Sequence, residues 1–140
     1  MLPIRKILVP VDFSSCSRSA LEHAVWLADE IGASIDVLHV WPGETARVVD
    51  PGEGEPPSAL NELNAFVASV KQPQRGRLSQ RLETGSPPRR ILEDAGTGSY
   101  DLLVLGTHGR TGRLHMIMGS VAEEVVRGAP CPVLTVRGPD

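Results

Sequence analysis

Ile7-Leu8-Val9-Pro10-Val11 is an almost wholly apolar run that ends in Asp12. A run of this kind suits a strand covered on both faces, as in a parallel sheet. Ser14 and Ser15 stand ready to cap the helix predicted next, because a short hydroxyl side chain accepts from the unpaired amides of a first turn. Ala20, Leu21, Ala24, Leu27, Ala28 and Ile31 recur on one helical face, and Gly32 falls where a left-handed residue ends such a helix. Ser34-Ile35-Asp36-Val37-Leu38-His39-Val40 reads as a second strand. Strand, helix and strand in this order make a βαβ unit, with parallel strands and a right-handed crossover.

Residues 42–58 break the pattern. Pro42, Gly43, Pro51, Gly52, Gly54, Pro56 and Pro57 predict a surface loop there. Leu60, Leu63, Phe66, Val67 and Val70 restore helical spacing. Arg77 to Thr84, with Leu78 and Leu82 set among polar neighbours, is expected to be an edge strand. Pro87-Pro88 opens a third helix, where proline is tolerated in the first turn, and Gly96 or Gly98 closes it. Asp101-Leu102-Leu103-Val104-Leu105 is a fourth strand ending at Gly106. A glycine-rich loop follows, then a helix from Ser120 to Arg127, then Pro132-Val133-Leu134-Thr135-Val136 as the last strand. Strands alternating with helices predict an α/β fold: a single open, doubly wound, parallel five-stranded sheet with helices on both faces.

Length and composition narrow the class. The 140 residues suit one domain, taken as residues 1–140. Aromatic residues are only 4% of the chain, so the core must be aliphatic. The net charge of −3 argues against nucleic-acid binding, which favours basic faces. No apolar run approaches the roughly 20 residues of a membrane span, and Met1 to Lys6 carries no signal-peptide pattern. The expected location is therefore cytoplasmic, with neither membrane nor nucleic acid as partner. Cys16 and Cys131 show no CxxC or metal-ligand spacing and read as reduced, packed residues.

In open parallel sheets, ligands bind outside the carboxyl ends of the strands, where the strand order reverses. Two such ends carry unusual residues. Asp12 interrupts an apolar strand at its exit, and Gly106-Thr107-His108-Gly109-Arg110-Thr111-Gly112-Arg113 combines three glycines with two arginines. Glycine lets backbone amides approach a phosphate with no Cβ in the way. Gly119-Ser120 then precedes a helical pattern, and a helix N-terminus offers amides to the same anion. A tight turn and an ordinary cap would use the same residues. Neither a Walker A lysine motif nor a GxGxxG dinucleotide fingerprint is present.

Gly106-x-x-Gly109, nine residues, then Gly119-Ser120 resembles the signature of ATP-binding universal stress proteins. Lys6 to Ser14 resembles that family's first strand and acidic exit, and Ala129 to Val136 resembles its last strand. The resemblance implies strand order 3-2-1-4-5, ATP with Mg2+ as ligand, and a homodimer paired through Val133 to Val136. Carried over by position, Pro10, Val11, Asp12 and Val40 line the adenosine end. Leu105, Gly106, His108, Gly109 and Arg110 follow around the ribose and phosphates, and Gly119, Ser120, Val121 and Ala122 receive the phosphates. Some relatives carry a hydroxyl where this chain has Ala122, which keeps only its backbone amide for that contact.

The expected role is adenine-nucleotide binding in regulation or stress response. Two alternatives stay open: a slow ATPase or phosphotransferase, and a ligand-free dimeric interaction module. Arg110 and Arg113 suit a phosphate clamp, but phosphoryl transfer also needs an oriented nucleophile and metal ligands. No motif supplies a second carboxylate, and His108 is the sole candidate base. No catalytic residue and no resident protein-bound metal is assigned. His23, His39 and His115 belong to no cluster and read as packed or solvent-facing.

Overall fold

A computed structural model describes residues 3–43, 47–49, 57–108 and 118–139 of the chain. The apolar run of the first strand, β1 (Lys6–Pro10), is buried from Ile7 onward. It pairs in parallel with β2 (Ser34–Pro42) on one side and with Leu102 and Leu103 on the other. The helix between, α1 (Ser15–Ile31), starts where Ser14 Oγ accepts from the Ser17 amide at 3.1 Å. It stops at Gly32, whose φ of 74° is left-handed and whose amide donates to the Ala28 carbonyl at 2.7 Å. Ala20, Ala24 and Ala28 are fully buried, so small side chains let this helix lie close to the sheet.

The remaining elements are β3 (Arg47–Val49), α2 (Pro57–Ala68), β4 (Leu78–Gly85), α3 (Pro87–Thr97), β5 (Leu102–Gly106), α4 (Ser120–Gly128) and β6 (Val133–Val136). The sheet order is β3-β4-β2-β1-β5-β6. Counting only the parallel strands, this is the expected order 3-2-1-4-5.

The stretch read as loop needs correction. β2 runs on through Trp41 and Pro42, in register with Thr84 and Gly85. Arg47 to Val49 form a short antiparallel strand against Leu82 to Thr84. The physical reason is the open hydrogen-bonding edge of β4, which β-branched Val48 and Val49 suit. A strand of three residues, followed closely by Pro51 and Gly52, leaves no periodicity to read. β4 is thus the outermost parallel strand, but its far edge is covered at these positions.

Each face of the sheet has its own core. Ile7, Val9, Ile35 and Val37 pack with α1 and α2 residues such as Leu21, Val25 and Leu63. Leu8, Leu38, Val40, Leu103 and Leu105 pack with Ile91 and Ala95 of α3 and Ala122 and Val125 of α4. On this second face α3 is also held by charge. Glu83 is 1% exposed, with Arg81 Nε donating to Oε2 and Arg90 Nε to Oε1, both at 2.7 Å. Arg81 also donates to Asp94 at 3.0 Å and to the Tyr100 hydroxyl at 3.2 Å. Tyr100 in turn donates to Asp36 at 2.5 Å. Burial, and then the bond to Asp36, push the Tyr100 hydroxyl up to about 12. Among the described residues no buried side-chain polar atom lacks a partner.

Candidate functional site

β1 and β5 are neighbours, yet the chain leaves them toward opposite sides of the sheet, to β2 and to β6. This is the switch point at which a crevice must open. A cavity of about 670 Å³ lies there, over the carboxyl ends of β1, β2 and β5 and the first turn of α4.

Pro10, Val11 and Asp12 form its floor at the exit of β1. The Val11 amide donates to the Leu38 carbonyl at 2.8 Å, so the exit stays tied to β2. Asp12 Oδ1 accepts from the Ser14 amide at 3.0 Å, and the Asp12 amide donates to Ser17 Oγ at 3.3 Å. Between them Phe13 has a φ of 69°, a left-handed conformation that is uncommon outside glycine. Its ring packs on His39, with centroids 4.2 Å apart, and on Phe66 at 5.6 Å. His39 Nδ1 lies 2.7 Å from the Val11 carbonyl. A carbonyl only accepts, so Nδ1 carries the proton. The aromatic stack and this bond hold the sharp turn that presents Asp12 to the cavity.

Gly106 ends β5 beneath that turn. A Cβ there would stand 2.8 Å from Cys16 Sγ and 2.9 Å from the Cys16 carbonyl carbon, so the strand approaches α1 only because the residue is glycine. Thr107 follows, and its amide donates to the Val136 carbonyl at 3.0 Å. The Thr107 carbonyl accepts from the Gly119 amide at 2.6 Å, which brings the start of α4 back beside β5. Gly119 caps α4 without a side-chain bond, leaving first-turn amides for another partner. Thr107 Oγ1 lies 3.0 Å from His108 Nδ1 and 3.7 Å from Cys16 Sγ.

Of the residues expected at the site, Pro10, Val11, Asp12, Val40, Leu105, Gly106, His108, Gly119, Ser120, Val121 and Ala122 all line this one cavity. Gly109 and Arg110 lie outside the described residues. His39, read as either packed or solvent-facing, is buried and also lines the cavity. Sequence reasoning missed Phe13, Ser17, Leu38, Trp41, Pro42, Glu62, Pro87, Ile91 and Thr107 among the lining residues. Trp41, Pro42 and Thr107 sit at strand ends and were within reach of the strand-end rule. Glu62 and Ile91 are brought in by the packing of α2 and α3, which no local pattern announces.

Cys16 and Cys131 are both free thiols, and Cys16 is buried. No group of three or more histidine, cysteine or acidic side chains is placed to hold a metal among the described residues. None of the described helices is long and apolar enough to cross a membrane.

The universal stress protein family model matches residues 3–137. A universal stress protein of Methanocaldococcus jannaschii is 34% identical over 142 aligned positions, covering 96% of this chain and 83% of the relative. Among solved structures, the universal stress protein UspA from Lactobacillus plantarum is 26% identical with a TM-score of 0.75, over 98% of this chain and 100% of that one. A universal stress protein solved in complex with cAMP is 24% identical with a TM-score of 0.70, over 99% and 100% of the two chains. One from Archaeoglobus fulgidus in complex with dAMP is 23% identical with a TM-score of 0.66, over 96% and 99%. The last two share the fold. With the family model spanning nearly its whole length and a relative one-third identical, this chain belongs to the universal stress protein family.

Proposed function

We propose that the protein binds an adenine nucleotide, ATP with Mg2+, at the crevice between β1 and β5, and acts as a regulatory homodimer rather than an efficient enzyme. One observation carries the reading. The two described ends of the nucleotide signature, Gly106 to His108 and Gly119-Ser120, line one cavity and are joined by the bond from the Gly119 amide to the Thr107 carbonyl. The cavity's volume falls within the range of small-ligand sites. The cAMP and dAMP complexes of two proteins with this fold support an adenine ligand.

In this reading Pro10, Val11, Val40 and Leu105 enclose the base and ribose. Gly106, His108, Gly109 and Arg110, with the amides of Gly119, Ser120, Val121 and Ala122, receive the phosphates. Mg2+ arrives with the triphosphate and neutralises its charge, since this ion keeps most of its waters and binds few protein carboxylates. Asp12 is the fitting carboxylate, with one oxygen on the Ser14 amide.

Calorimetry with ATP and Mg2+ tests the reading. Binding is expected at or below millimolar ligand, and no heat up to that concentration removes the proposal. Phosphate release should stay below about one per second, the lower end of ordinary enzyme turnover.

A further inference from the structure

The cavity has two unlike ends. Over β5 it offers the backbone amides of the first turn of α4, begun at Gly119. Over β2, two strand spacings or about 10 Å across the sheet, it offers apolar surface. Trp41 pairs with Thr84 and Pro42 with Gly85, and Pro87 opens α3 two residues later. That register brings Trp41, Pro42 and Pro87 to one rim, and all three line the cavity. Trp41 is the odd member. Tryptophan is buried over most of its surface in folded proteins, yet Trp41 is 39% exposed. Among the described residues no other ring stacks on it, whereas Phe13 packs on both His39 and Phe66. An indole left partly open at a cavity wall is a stacking surface for a flat ring.

From this geometry we infer that Trp41 is the residue that grips the base: its indole stacks on one face of the base of the bound nucleotide. The inference rests on the nucleotide reading above and adds to it the side chain that sets affinity for the base. Pro10, Val11, Val40 and Leu105 give aliphatic surface to the cavity, which excludes water without favouring a flat ring. Trp41 adds that preference. A stack on the ring face is tolerant of the hydrogen-bonding edge, so Trp41 acts on the base and leaves the phosphates to the amides of α4.

The chain has two tryptophans, Trp26 and Trp41. Trp26 lies exposed on α1, outside the cavity, so Trp26→Phe makes Trp41 the sole indole reporter. In that variant ATP–Mg2+ and adenosine should both quench the tryptophan emission, and inorganic triphosphate should leave it unchanged. Calorimetry then compares side chains at position 41. Trp41→Leu, which keeps an apolar side chain, should weaken ATP–Mg2+ and adenosine by the same factor, about ten-fold. Trp41→Phe, which keeps a ring, should lose much less. Unchanged emission when ATP binds the Trp26→Phe protein, or a folded Trp41→Leu that binds ATP as tightly as wild type, overturns the inference and leaves nucleotide binding standing. A wild type that binds neither ATP nor adenosine overturns the nucleotide reading, and this inference with it.

Discussion

Single residues at the crevice carry constraints that their types alone do not reveal. Phe13 holds a left-handed backbone at a cost of order 1–3 kcal/mol, offset by its stack on His39 and Phe66. Gly106 is the tighter case. Its φ is not in the left-handed region, so the demand is purely one of space between β5 and the first turn of α1. Gly106→Ala should therefore destabilise the protein by about 1–3 kcal/mol, as overpacking does. Because the Cys16 carbonyl group stands in the way as well as the thiol sulfur, relief requires the β5 end to move, and ATP affinity should fall as well. Urea denaturation and calorimetry on the same variant check the two effects. Unchanged stability would mean that the strand end can shift freely.

At the scale of elements, α3 and the α1–α2 layer are each braced by charge. Burial raises the Glu83 carboxyl, and neighbouring Asp94 raises it further. Asp94 moves the other way: burial would raise it, but the bond with Glu83 and the Arg81 guanidinium hold it below its ordinary range. Glu83→Ala would leave Arg81 and Arg90 facing a vacated acceptor, and breaking a buried pair from one side costs about 3–5 kcal/mol. Glu83→Gln should cost less, since its amide oxygen still accepts. Chemical denaturation of the two variants separates charge from acceptor.

Asp29 links α1 to the turn before β4. Its Oδ1 accepts from the Arg75 amide at 3.0 Å and the Gln74 amide at 2.7 Å. The Arg75 bond above all, with slight burial opposing it and Gln74, Lys71 and the Arg75 charge assisting, lowers its pKa. A carboxyl depressed in the folded state stabilises above its unfolded value, about 3.9, and loses that contribution as pH falls through the folded value. Asp29→Asn keeps an oxygen acceptor but no charge. The stability gap between wild type and variant should be full above about pH 5 and close in stronger acid. A gap independent of pH would show that the charge contributes nothing.

For the whole molecule the telling feature is the β6 edge of the sheet, against which no other described strand pairs. β6 is terminal, and Leu134 is 41% exposed on it. The carbonyls of Pro132 and Val136 accept from Leu103 and Thr107 of the β5 segment. Alternation along the strand therefore turns the Thr135 amide outward. An uncovered apolar edge is a template for pairing, and two copies meeting across a two-fold axis would satisfy both edges. A homodimer through Val133 to Val136 is expected by light scattering, and Thr135→Pro, which deletes an outward donor, should weaken it. A native mass near 15.0 kDa at micromolar concentration would defeat this expectation.

The sequence by itself determined the alternation of strands and helices, a serine cap at position 14 or 15 and a glycine cap at Gly32, and the two segments that build the crevice. Those features are local: an apolar run, a helical period, a glycine spacing. It could not show β3, because three residues carry no period and the strand exists only where the edge of β4 stands open. Nor could it show that Glu83 is buried between Arg81 and Arg90. A polar residue in strand alternation looks solvent-facing until α3 covers it. Phe13's left-handed turn and Thr107's contacts likewise depend on partners distant in sequence, His39 and Phe66 for the one, Cys16 and Val136 for the other. Local periodicity decides which elements form, whereas close packing between elements decides which side chains share a cavity, and that packing exists only in the folded chain.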